Sequence, residues 1–467
     1  MDFLTQFIDW ANGILWSYVL VAMLIGCAIW FTIRCKFVQL TMLRDLPVMF
    51  RNCTHEEREE GVERISSFQA FAISIASRVG TGNLAGVAVA IAMGGPGAVF
   101  WMWLIAFLGA SSAFVESTLA QLYKIKGEKS FIGGPAYYMS IGLKKPWMGA
   151  LFSVLLIFTF GFAFNSVQSN TICQAFEEAF GLTPAYMGTV LTLLTAVIIF
   201  GGIQSIARVS SIIVPIMALG YIALALVIIA MNITELPRVL SLIITHAFGW
   251  EQGLAGGVGA AIQQGIRRGL YSNEAGMGSA PNVAATADVS HPVKQGKVQA
   301  ISVFSDTLII CSCTAFIILI SGVSAGDQVN GIKLTQAAIS QYIGHWGSIV
   351  VAAAIFLFAF SSVLGNYYYG EANVQYLSKK PWVLTTYRVI VVAMVLYGSI
   401  ASLSTVWNMA DLFMGLMTIC NLIAIVLLGR HAFRLLEDYR AQKRQGVVDP
   451  TFSKDKMPDI ADDLQCW

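Results

Sequence analysis

Charged residues are scarce in this chain. Only 12% of its 467 residues are Asp, Glu, Lys or Arg, whereas 56% are hydrophobic, and soluble proteins carry about 25% charged residues. Apolar runs of about 20 residues recur along the whole length, and each is long enough to cross a bilayer as a helix. This composition excludes an ordinary soluble domain and predicts an all-α polytopic membrane protein in a lipid bilayer. The net charge of +2 gives no reason to expect a nucleic-acid partner.

Histidine and cysteine offer little chemistry here. The five histidines fall in loops or at the ends of predicted helices, which argues against a histidine proton relay across the membrane. The eight cysteines are scattered, and we expect reduced thiols packed as small hydrophobes rather than a metal site. No nucleophile stands beside a base in the sequence. We therefore expect neither an enzyme nor a bound cofactor.

The basic residues lie mainly on one side of the predicted spans. All of the 29 lysines and arginines except Arg238, Lys333 and Arg78 fall on that side. Cytoplasmic loops carry the positive excess, so the N-terminus is expected outside and the C-terminus in the cytoplasm. Residues 1–440 are predicted to form one transmembrane domain, and residues 441–467 a mobile cytoplasmic tail. The eleven predicted spans are 14–33, 65–93, 97–122, 150–176, 185–200, 205–231, 253–270, 298–322, 346–377, 383–402 and 406–429.

The second predicted span is interrupted by small and polar residues. Its middle runs Ser77-Arg78-Val79-Gly80-Thr81-Gly82-Asn83. Each unpaired backbone group in lipid costs several kcal/mol, so a broken helix survives only where protein or a polar cavity satisfies it. Secondary transporters bind ions and small zwitterions at helices broken near the membrane midplane. The sequence therefore predicts a binding site at this break.

The seventh predicted span repeats the feature, because residues 253–270 are also rich in glycine. With the first span set aside as an extra helix, ten spans remain and divide into two sets of five. Because each set has an odd number of helices, the second set crosses the membrane in the opposite orientation to the first. The first repeat is predicted at 65–231 and the second at 253–429, each beginning with a broken helix.

Three sequence blocks resemble the alanine or glycine:cation symporter family. They are residues 94–103 with Gly109, residues 269–281 and residues 367–373. The resemblance covers nearly the whole chain. It implies a bacterial or archaeal inner-membrane carrier that couples sodium to the uptake of alanine or glycine. It also implies a LeuT-type fold with one extra N-terminal helix.

The resemblance to LeuT extends to the break itself. Residues 79–83 are similar to the Val-Gly-Leu-Gly-Asn of that transporter's first unwound helix. This implies that the N–H groups of Thr81 and Gly82 hold the substrate carboxylate, and a free helix N-terminus independently suits an anion. Asn83 could cap the outer half-helix, bind a second sodium or contact the substrate. The implied sodium ligands are all oxygens, which suit a hard cation: the carbonyls of Ala76 and Val79 and the hydroxyls of Ser361 and Ser362.

Further residues are expected around the substrate. Phe164 and Gln168 lie one turn apart on the helix that supplies substrate contacts in LeuT-type carriers. Asn366 lies one turn beyond Ser362 and is expected to face the same cavity. One of Gln263 and Gln264 is also expected to reach it, and Gln264 is our candidate. Each of these side chains could instead serve helix packing or interhelical hydrogen bonding.

Two charged residues are candidates for gates. Arg78 could close the inner pathway by pairing with a carboxylate, or it could extend toward the cytoplasm. Asp411 lies near the outer end of the last span, where an outer gate would be placed. Arg267 and Arg268 are expected only to mark the cytoplasmic end of the seventh span.

Three other acids fall inside predicted spans and are functional candidates by default. Glu116 and Glu371 lie at LeuT-like positions, and the resemblance implies that they brace unwound backbone N–H groups. Asp306 is the candidate for assisting an ion.

The predicted function is sodium-coupled import of a small neutral amino acid by alternating access. A proton-coupled symporter of the same fold is the alternative, with Asp306 as the titratable group. A passive channel is disfavoured by the paired breaks. Glycine or alanine preference, sodium stoichiometry and oligomeric state are not set by the sequence.

Overall fold

The described part of the chain is almost entirely helical. A computed structural model describes residues 2–45, 49, 65–127, 130–201, 203–249, 255–326 and 329–467, with backbone alone at 2–5, 203–215 and 255–256. A short antiparallel hairpin joins β1 (Ile125–Lys126) to β2 (Phe131–Ile132). The main helices are α1 Gln6–Arg34, α2 Ser67–Arg78, α3 Gly82–Gly94, α4 Ala98–Leu122, α5 Pro146–Phe180, α6 Pro184–Phe200, α7 Ile203–Met231, α8 Leu236–Phe248, α9 Ala255–Asn273, α10 Pro281–Ala284, α11 Pro292–Ser321, α12 Ile332–Ile343, α13 Trp346–Leu377, α14 Pro381–Ile400 and α15 Leu403–Arg444.

The helices have the lengths and composition of a multi-pass membrane protein. Within the described residues, seven helices could cross a bilayer on their own, and two bent pairs raise the number to nine. The bent pairs are α2 with α3, at 48°, and the second half of α7 with α8, at 79°. The eleven predicted spans all fall on helical segments, the second of them on the pair α2 and α3, while residues 253 and 254 lie outside the described part.

The first break lies where the sequence predicts it. Ser66 starts α2 with a reciprocal capping box, in which its hydroxyl accepts from the Gln69 N–H and the Gln69 side chain accepts from the Ser66 N–H. The helix stops at Arg78, because Val79 leaves helical geometry with ψ of 89°. The N–H of Gly80 donates to the side-chain oxygen of Asn83 at 3.0 Å. Asn83 thus satisfies a backbone group that the break would otherwise leave unpaired.

The second break lies elsewhere than predicted. The helix α9 runs without interruption through the described glycines of its first half, so the prediction that they break it is wrong. An added Cβ would meet nothing within 4 Å at Gly257 or Gly259, whereas glycines further along α9 allow close packing, since a Cβ added at Gly269 would lie 2.8 Å from Cγ2 of Ile105 in α4. The helix ends at Asn273, and an irregular segment follows before α10. In that segment Gly276 and Gly278 have φ of +84° and +87°, which only glycine adopts easily.

The prediction of a mobile C-terminal tail is also wrong. Helix α15 continues to Arg444, and the chain beyond it folds back against the helix bundle. The Phe452 N–H donates to the Ser290 carbonyl at 2.9 Å, and the Trp467 indole donates to the Gln121 carbonyl at 3.0 Å. The tail side chains of Met457 and Leu464 are also buried, so both hydrogen bonds and apolar contacts attach the tail to the bundle.

Ion pairs supplement this docking. The ammonium of Lys294, at the start of α11, lies 2.5 Å from the Asp449 carboxylate. Arg434 donates to Asp459 at 2.7 Å, and this hydrogen bond holds the pKa of the Asp459 carboxyl below its usual value. The tail is thus tied both to the last helix and to the segment that follows the second break.

Candidate substrate and ion site

Four oxygens meet where α2 ends against α13. The Ser362 hydroxyl donates to the Ala76 carbonyl at 3.1 Å and lies 3.4 Å from the Val79 carbonyl. The Ser361 hydroxyl lies 3.5 Å from the Ala76 carbonyl. Both hydroxyls also lie within hydrogen-bond distance of the Phe358 carbonyl in their own helix, at 2.8 Å from Ser361 and 3.0 Å from Ser362, so the single proton of each hydroxyl has more than one acceptor within reach. The structure therefore brings the four predicted ion ligands together.

The break in α2 and α3 makes this cluster possible. Carbonyls in the last turn of a helix have no intrahelical partner, and α2 ends two residues beyond Ala76. The facing hydroxyls of α13 supply the missing donors. A cation at this position would replace those donors, because hydroxyl oxygens can coordinate as well as donate.

The amide of Thr81 is held by a side chain from α5. Its N–H donates to Oε1 of Gln168 at 3.1 Å, and its hydroxyl shares a hydrogen bond with the Tyr271 hydroxyl at 3.1 Å. Gln168 therefore accepts from the Thr81 N–H, the group that the resemblance assigns to the substrate carboxylate. Tyr271 was missed from the sequence as a site residue, although it belongs to the family-like block at 269–281.

Glycine is needed beside Thr81 for close approach. A Cβ added at Gly82 would lie 3.0 Å from the backbone Cα of Ser272 in α9. A Cβ added at Gly80 would lie 3.0 Å from Oε1 of Gln168. The two glycines thus let α9 and α5 come within contact of the unwound backbone.

A second polar cluster surrounds the Asp306 carboxylate. Asn83 donates to its Oδ1 at 2.7 Å, and Ser272 and Thr307 donate to its Oδ2 at 2.8 and 2.9 Å. The Asp306 side chain is fully buried. Asn83 bridges this carboxylate and the Gly80 N–H, so it joins the break to α11.

Three aromatic rings follow one another from the helix that carries Gln168 to the last helix, with Tyr271 between them and hydrogen-bonded to the Thr81 hydroxyl. Phe164 lies 4.5 Å from the Tyr271 ring, and Tyr271 lies 4.7 Å from the Trp407 ring, measured between centroids. All three side chains are buried. Phe164 thus contacts Tyr271, and Gln168 contacts Thr81, while Tyr271 and Trp407 are neighbours that the sequence analysis did not single out.

Arg267 and Arg268 do not mark a cytoplasmic helix end, so that expectation is wrong. Arg267 forms an ion pair with Asp411 at 2.6 Å, and Arg268 donates to the other oxygen of the same carboxylate. The Arg268 guanidinium also lies 4.4 Å from the centre of the Trp407 ring, a cation–π distance. Asp411 therefore forms a buried ion-pair cluster with two arginines, and this cluster contacts the aromatic rings through Trp407.

Arg78 is buried, with only 2% of its surface exposed, and does not extend to the cytoplasm. Its hydrogen bonds go to Ser302 and, at 3.4 Å, to the Gln299 carbonyl, both in α11. Among the described residues, no carboxylate lies within ion-pair distance of it. The structure thus ties Arg78 to α11 rather than to an acid.

The two acids predicted to brace unwound backbone differ in their contacts. Glu116 accepts from the N–H groups of Gly276 and Gly278 at 3.2 and 3.1 Å, so its bracing role at unwound backbone is confirmed. Glu371 instead contacts the side chains of Gln375 and Arg388, so its expected bracing role is wrong.

The second break carries an acid that sequence reasoning missed. Glu274 is buried, has φ of +56°, and accepts from Ser77 at 3.3 Å and from Ser279 at 2.5 Å. The Ser77 hydroxyl also lies 3.2 Å from the side-chain oxygen of Asn366, the alternative acceptor for its single proton, and this contact links the two breaks to α13. Glu274 lies inside the family-like block at 269–281, which could have marked it as a candidate. The sequence analysis placed this segment between two predicted spans and therefore did not consider it.

Gln264 lies apart from the Thr81 cluster. It is buried beside Gly94, at the end of α3 distant from Thr81, and its Oε1 has no partner among the described residues. Gln263 contacts Ser17 in α1 instead. The structure thus places Gln264 inside the bundle but not at the break.

The broken first core span, the bridging α13 hydroxyls and the multi-pass architecture define a membrane transporter of LeuT-type fold. The crystal structure of MhsT in complex with L-phenylalanine is similar, with a TM-score of 0.57 and 15% identity over 88% of this chain and 94% of that one. At that identity the likeness shows the fold alone.

Sequence comparison gives the family. The model of the sodium:alanine symporter family matches residues 1–454, and the chain belongs to this family. The Probable sodium/glutamine symporter GlnT of Bacillus subtilis (strain 168) is 51% identical over 98% of this chain and 95% of its own length. The sodium/alanine symporter AgcS of Methanococcus maripaludis is 38% identical over 92% and 95%. The protein is therefore an amino-acid symporter and not an enzyme.

Proposed function

We propose that the protein couples the inward movement of sodium to import of a small neutral amino acid, alanine or glycine, by alternating access. The observation that carries the proposal is the meeting of two carbonyls and two hydroxyls at the first break. Oxygen ligands of this kind suit sodium. The ion is cargo, and no resident cofactor is part of the proposal.

In this proposal sodium binds the carbonyls of Ala76 and Val79 and the hydroxyls of Ser361 and Ser362. Because the first two belong to the broken span and the others to α13, the ion ties these elements together. The ion site and the amino-acid site share the break, so sodium orders the backbone on which the substrate binds. This sharing is the proposed source of coupling.

The substrate carboxylate takes the place of Gln168 at the Thr81 N–H and contacts the N–H of Gly82. A carboxylate accepts a stronger hydrogen bond than an amide oxygen, which favours the exchange. Phe164 and Asn83 border the same backbone, while Asn366 supports it through Ser77. Gln264 joins the site only if the outer helices move.

The gates lie on opposite sides of this site. We assign the outer gate to the ion pair of Asp411 with Arg267 and Arg268, which contacts the aromatic rings through Trp407. Arg78 is assigned to the inner gate through its contacts with α11. Opening either gate requires breaking buried polar contacts, so the two are expected to alternate rather than open together.

The full proposed architecture has eleven spans in a bacterial or archaeal inner membrane, with the N-terminus outside and the C-terminus in the cytoplasm. Ten of the spans form the inverted repeat. The placement of Arg267 and Arg268 near the outer gate removes two basic residues from the cytoplasmic side. The remaining excess still supports this orientation.

Proton coupling is the second candidate. The buried Asp306 carboxylate, bound by Asn83 beside the break, is a titratable group at a position where a cation would act. A relative from Bacillus sp. (strain PS3), 38% identical over 84% of this chain and 92% of its own length, is named a sodium/proton-dependent alanine carrier protein. This alternative predicts uptake that survives removal of sodium and collapses with an uncoupler.

The test is radiolabelled alanine and glycine uptake into proteoliposomes in sodium or choline medium. Ser362→Ala removes one proposed sodium ligand, and its apparent sodium affinity is expected to fall roughly tenfold, the effect of losing about 1.4 kcal/mol. Gly82→Val places branched atoms against Ser272 and is expected to abolish uptake.

Matched controls are available for both variants. Ser305→Ala removes a hydroxyl that donates only within its own helix, to Ile301 at 3.1 Å. Gly220→Val adds a side chain where nothing lies within 4 Å of the new Cβ. Normal sodium-dependent uptake by both Ser362→Ala and Gly82→Val would show that the site is placed wrongly.

A further inference from the structure

The N-terminal helix α1 lies outside the ten spans of the proposed repeat, yet it contacts both partners of the outer gate. Its Trp16 is fully buried, and the indole N–H donates to the main-chain carbonyl of Asp411 at 3.2 Å. The Arg267 guanidinium lies 5.4 Å from the centre of the Trp16 ring, a cation–π distance. One side chain of α1 therefore touches the acid and one of the two arginines that pair with it.

A single face of α1 attaches this helix to α15. Asn12 donates to the Asn408 carbonyl at 2.9 Å, and a Cβ added at Gly415 would lie 2.8 Å from Cδ1 of Leu20. Asn12, Trp16 and Leu20 follow one another at intervals of four residues and are all buried, as expected for one face of a helix. Hydrogen bonds to main-chain carbonyls and close packing therefore hold α1 on α15.

The described contacts between α1 and α9 are weaker. Gln263 donates to Ser17 at 3.2 Å in an exposed position, where water can replace either partner. The other contact is the ring of Trp16 against Arg267. When the gate opens and α9 leaves α15, we therefore expect α1 to stay on α15, and the contact between Trp16 and Arg267 to break with the ion pair.

The Trp16 ring covers an ion pair that is largely withdrawn from water. The side chains of Arg267 and Asp411 are 11% and 2% exposed, and Nε of Arg267 has no hydrogen-bond partner in the part of the chain that the structure describes. The ring face offers the guanidinium an attractive surface in place of the water it has lost. Without the ring, water can reach Arg267 and compete with the Asp411 carboxylate, which weakens the closed gate.

We propose that Trp16 is a positioning residue of the outer gate, and that α1 thereby sets the balance between the closed and open states of that gate. The ring holds Arg267 against Asp411, and the hydrogen bonds from α1 to α15 hold the ring in place. This role rests on the proposed assignment of the outer gate to Asp411 and its two arginines. It gives α1 a part in the transport cycle, although α1 lies outside the proposed repeat.

Trp16→Leu removes the ring face, and initial rates of alanine uptake into right-side-out membrane vesicles measure the effect. A substrate that binds only when the gate is open has an apparent affinity set by the open fraction. Loss of the cation–π contact is expected to raise that fraction about threefold and to lower the alanine KM accordingly. The maximal rate is expected to fall as well, because the gate closes less readily. A merely structural loss would lower the maximal rate and leave the KM unchanged.

Arg267→Gln tests whether Trp16 acts through this arginine. Alone it is expected to lower the alanine KM as Trp16→Leu does, and the double variant is expected to match the single ones, because their effects share one contact. Trp16→Phe keeps an aromatic face and is expected to stay within twofold of the wild-type KM. Trp16→Met fills the same space with a flexible apolar side chain and replaces Trp16→Leu if that variant does not accumulate in the membrane.

Hydrogen exchange of the reconstituted protein gives a readout that needs no transport. The amides of residues 257–268 in α9 are expected to exchange about threefold faster in Trp16→Leu, because exchange follows the open population. Tyr18→Leu is the matched control, since Tyr18 lies beside Trp16 in the chain but is 76% exposed. Its exchange and its alanine KM are expected to equal those of the wild type.

Unchanged exchange at 257–268 in Trp16→Leu, or effects on the KM that add to those of Arg267→Gln, would overturn the inference. A faster exchange in Trp16→Leu together with no alanine uptake by the wild type would overturn the proposed function and support the role of Trp16. The two proposals can therefore fail separately.

Discussion

At the scale of single residues, Gln168 has the most direct influence on the proposed cycle. Its amide oxygen accepts from the Thr81 N–H at 3.1 Å, the group assigned to the substrate carboxylate. In the absence of substrate this contact satisfies a buried donor. When the substrate binds, its carboxylate then replaces the amide oxygen of Gln168 as the acceptor at the Thr81 N–H.

Gln168→Glu converts this exchangeable acceptor into a competing carboxylate. Charge-assisted hydrogen bonds are about twice as strong as neutral ones, and the two carboxylates repel each other. The KM for alanine is expected to rise at least tenfold in initial-rate uptake measurements. Gln174→Glu is the control, because Gln174 lies on the same helix and donates to Asn170 instead. A wild-type KM in Gln168→Glu would contradict the assignment of the carboxylate to Thr81.

At the scale of elements, the two breaks differ in what makes them. The first combines glycine with a side chain, Asn83, that satisfies the freed backbone. The second forms only after α9 has ended, where Glu116 from α4 accepts from two backbone N–H groups. A glycine-rich stretch without such a partner stays helical, as the first half of α9 does.

The C-terminal segment is the element whose structure departs most from expectation. Because Phe452 packs with His291 and Trp467, Phe452→Ala is expected to release the tail. A buried Phe to Ala change costs about 3–5 kcal/mol, so the open population should rise more than tenfold. Trypsin cleavage at Lys454 and Lys456, followed by mass spectrometry on inside-out vesicles, measures this.

The exposed Val448 provides the control for that experiment through Val448→Ala. Unchanged cleavage in Phe452→Ala would mean that the packing does not hold the tail. Cleavage from right-side-out vesicles instead of inside-out ones would reverse the proposed orientation.

At the scale of the whole molecule, a symporter that carries sodium with a zwitterion moves net charge. One charge crossing the membrane gains about 2.3 kcal/mol per 100 mV of inside-negative potential. This is a property of the coupled cycle and not of any single residue. It connects the ion cluster at the first break to accumulation of the amino acid.

A potassium diffusion potential of about 100 mV, with equal sodium on both sides, is therefore expected to drive accumulation of alanine by several tens-fold for one sodium per substrate. Valinomycin in potassium-loaded proteoliposomes provides the potential, and choline replaces sodium as the control. Accumulation independent of the potential would argue against net charge movement. Accumulation that persists in choline would favour protons as the coupling ion.

The sequence by itself determined the membrane class, the position of the first break and the pairing of Ser361 and Ser362 with it. These features depend on local composition and on a family resemblance carried by contiguous blocks. The glycines and Asn83 lie within one short segment, so their effect on the helix is visible without a fold.

Only the tertiary structure decided the partners of Arg267 and Arg268. Asp411 is 143 residues from Arg268 in the chain, and local hydropathy placed the arginines at a helix end. Burial of a charge is tolerated only when a partner arrives from another helix. The second break and the docked tail were hidden for the same reason, since the groups that stabilise them come from distant helices.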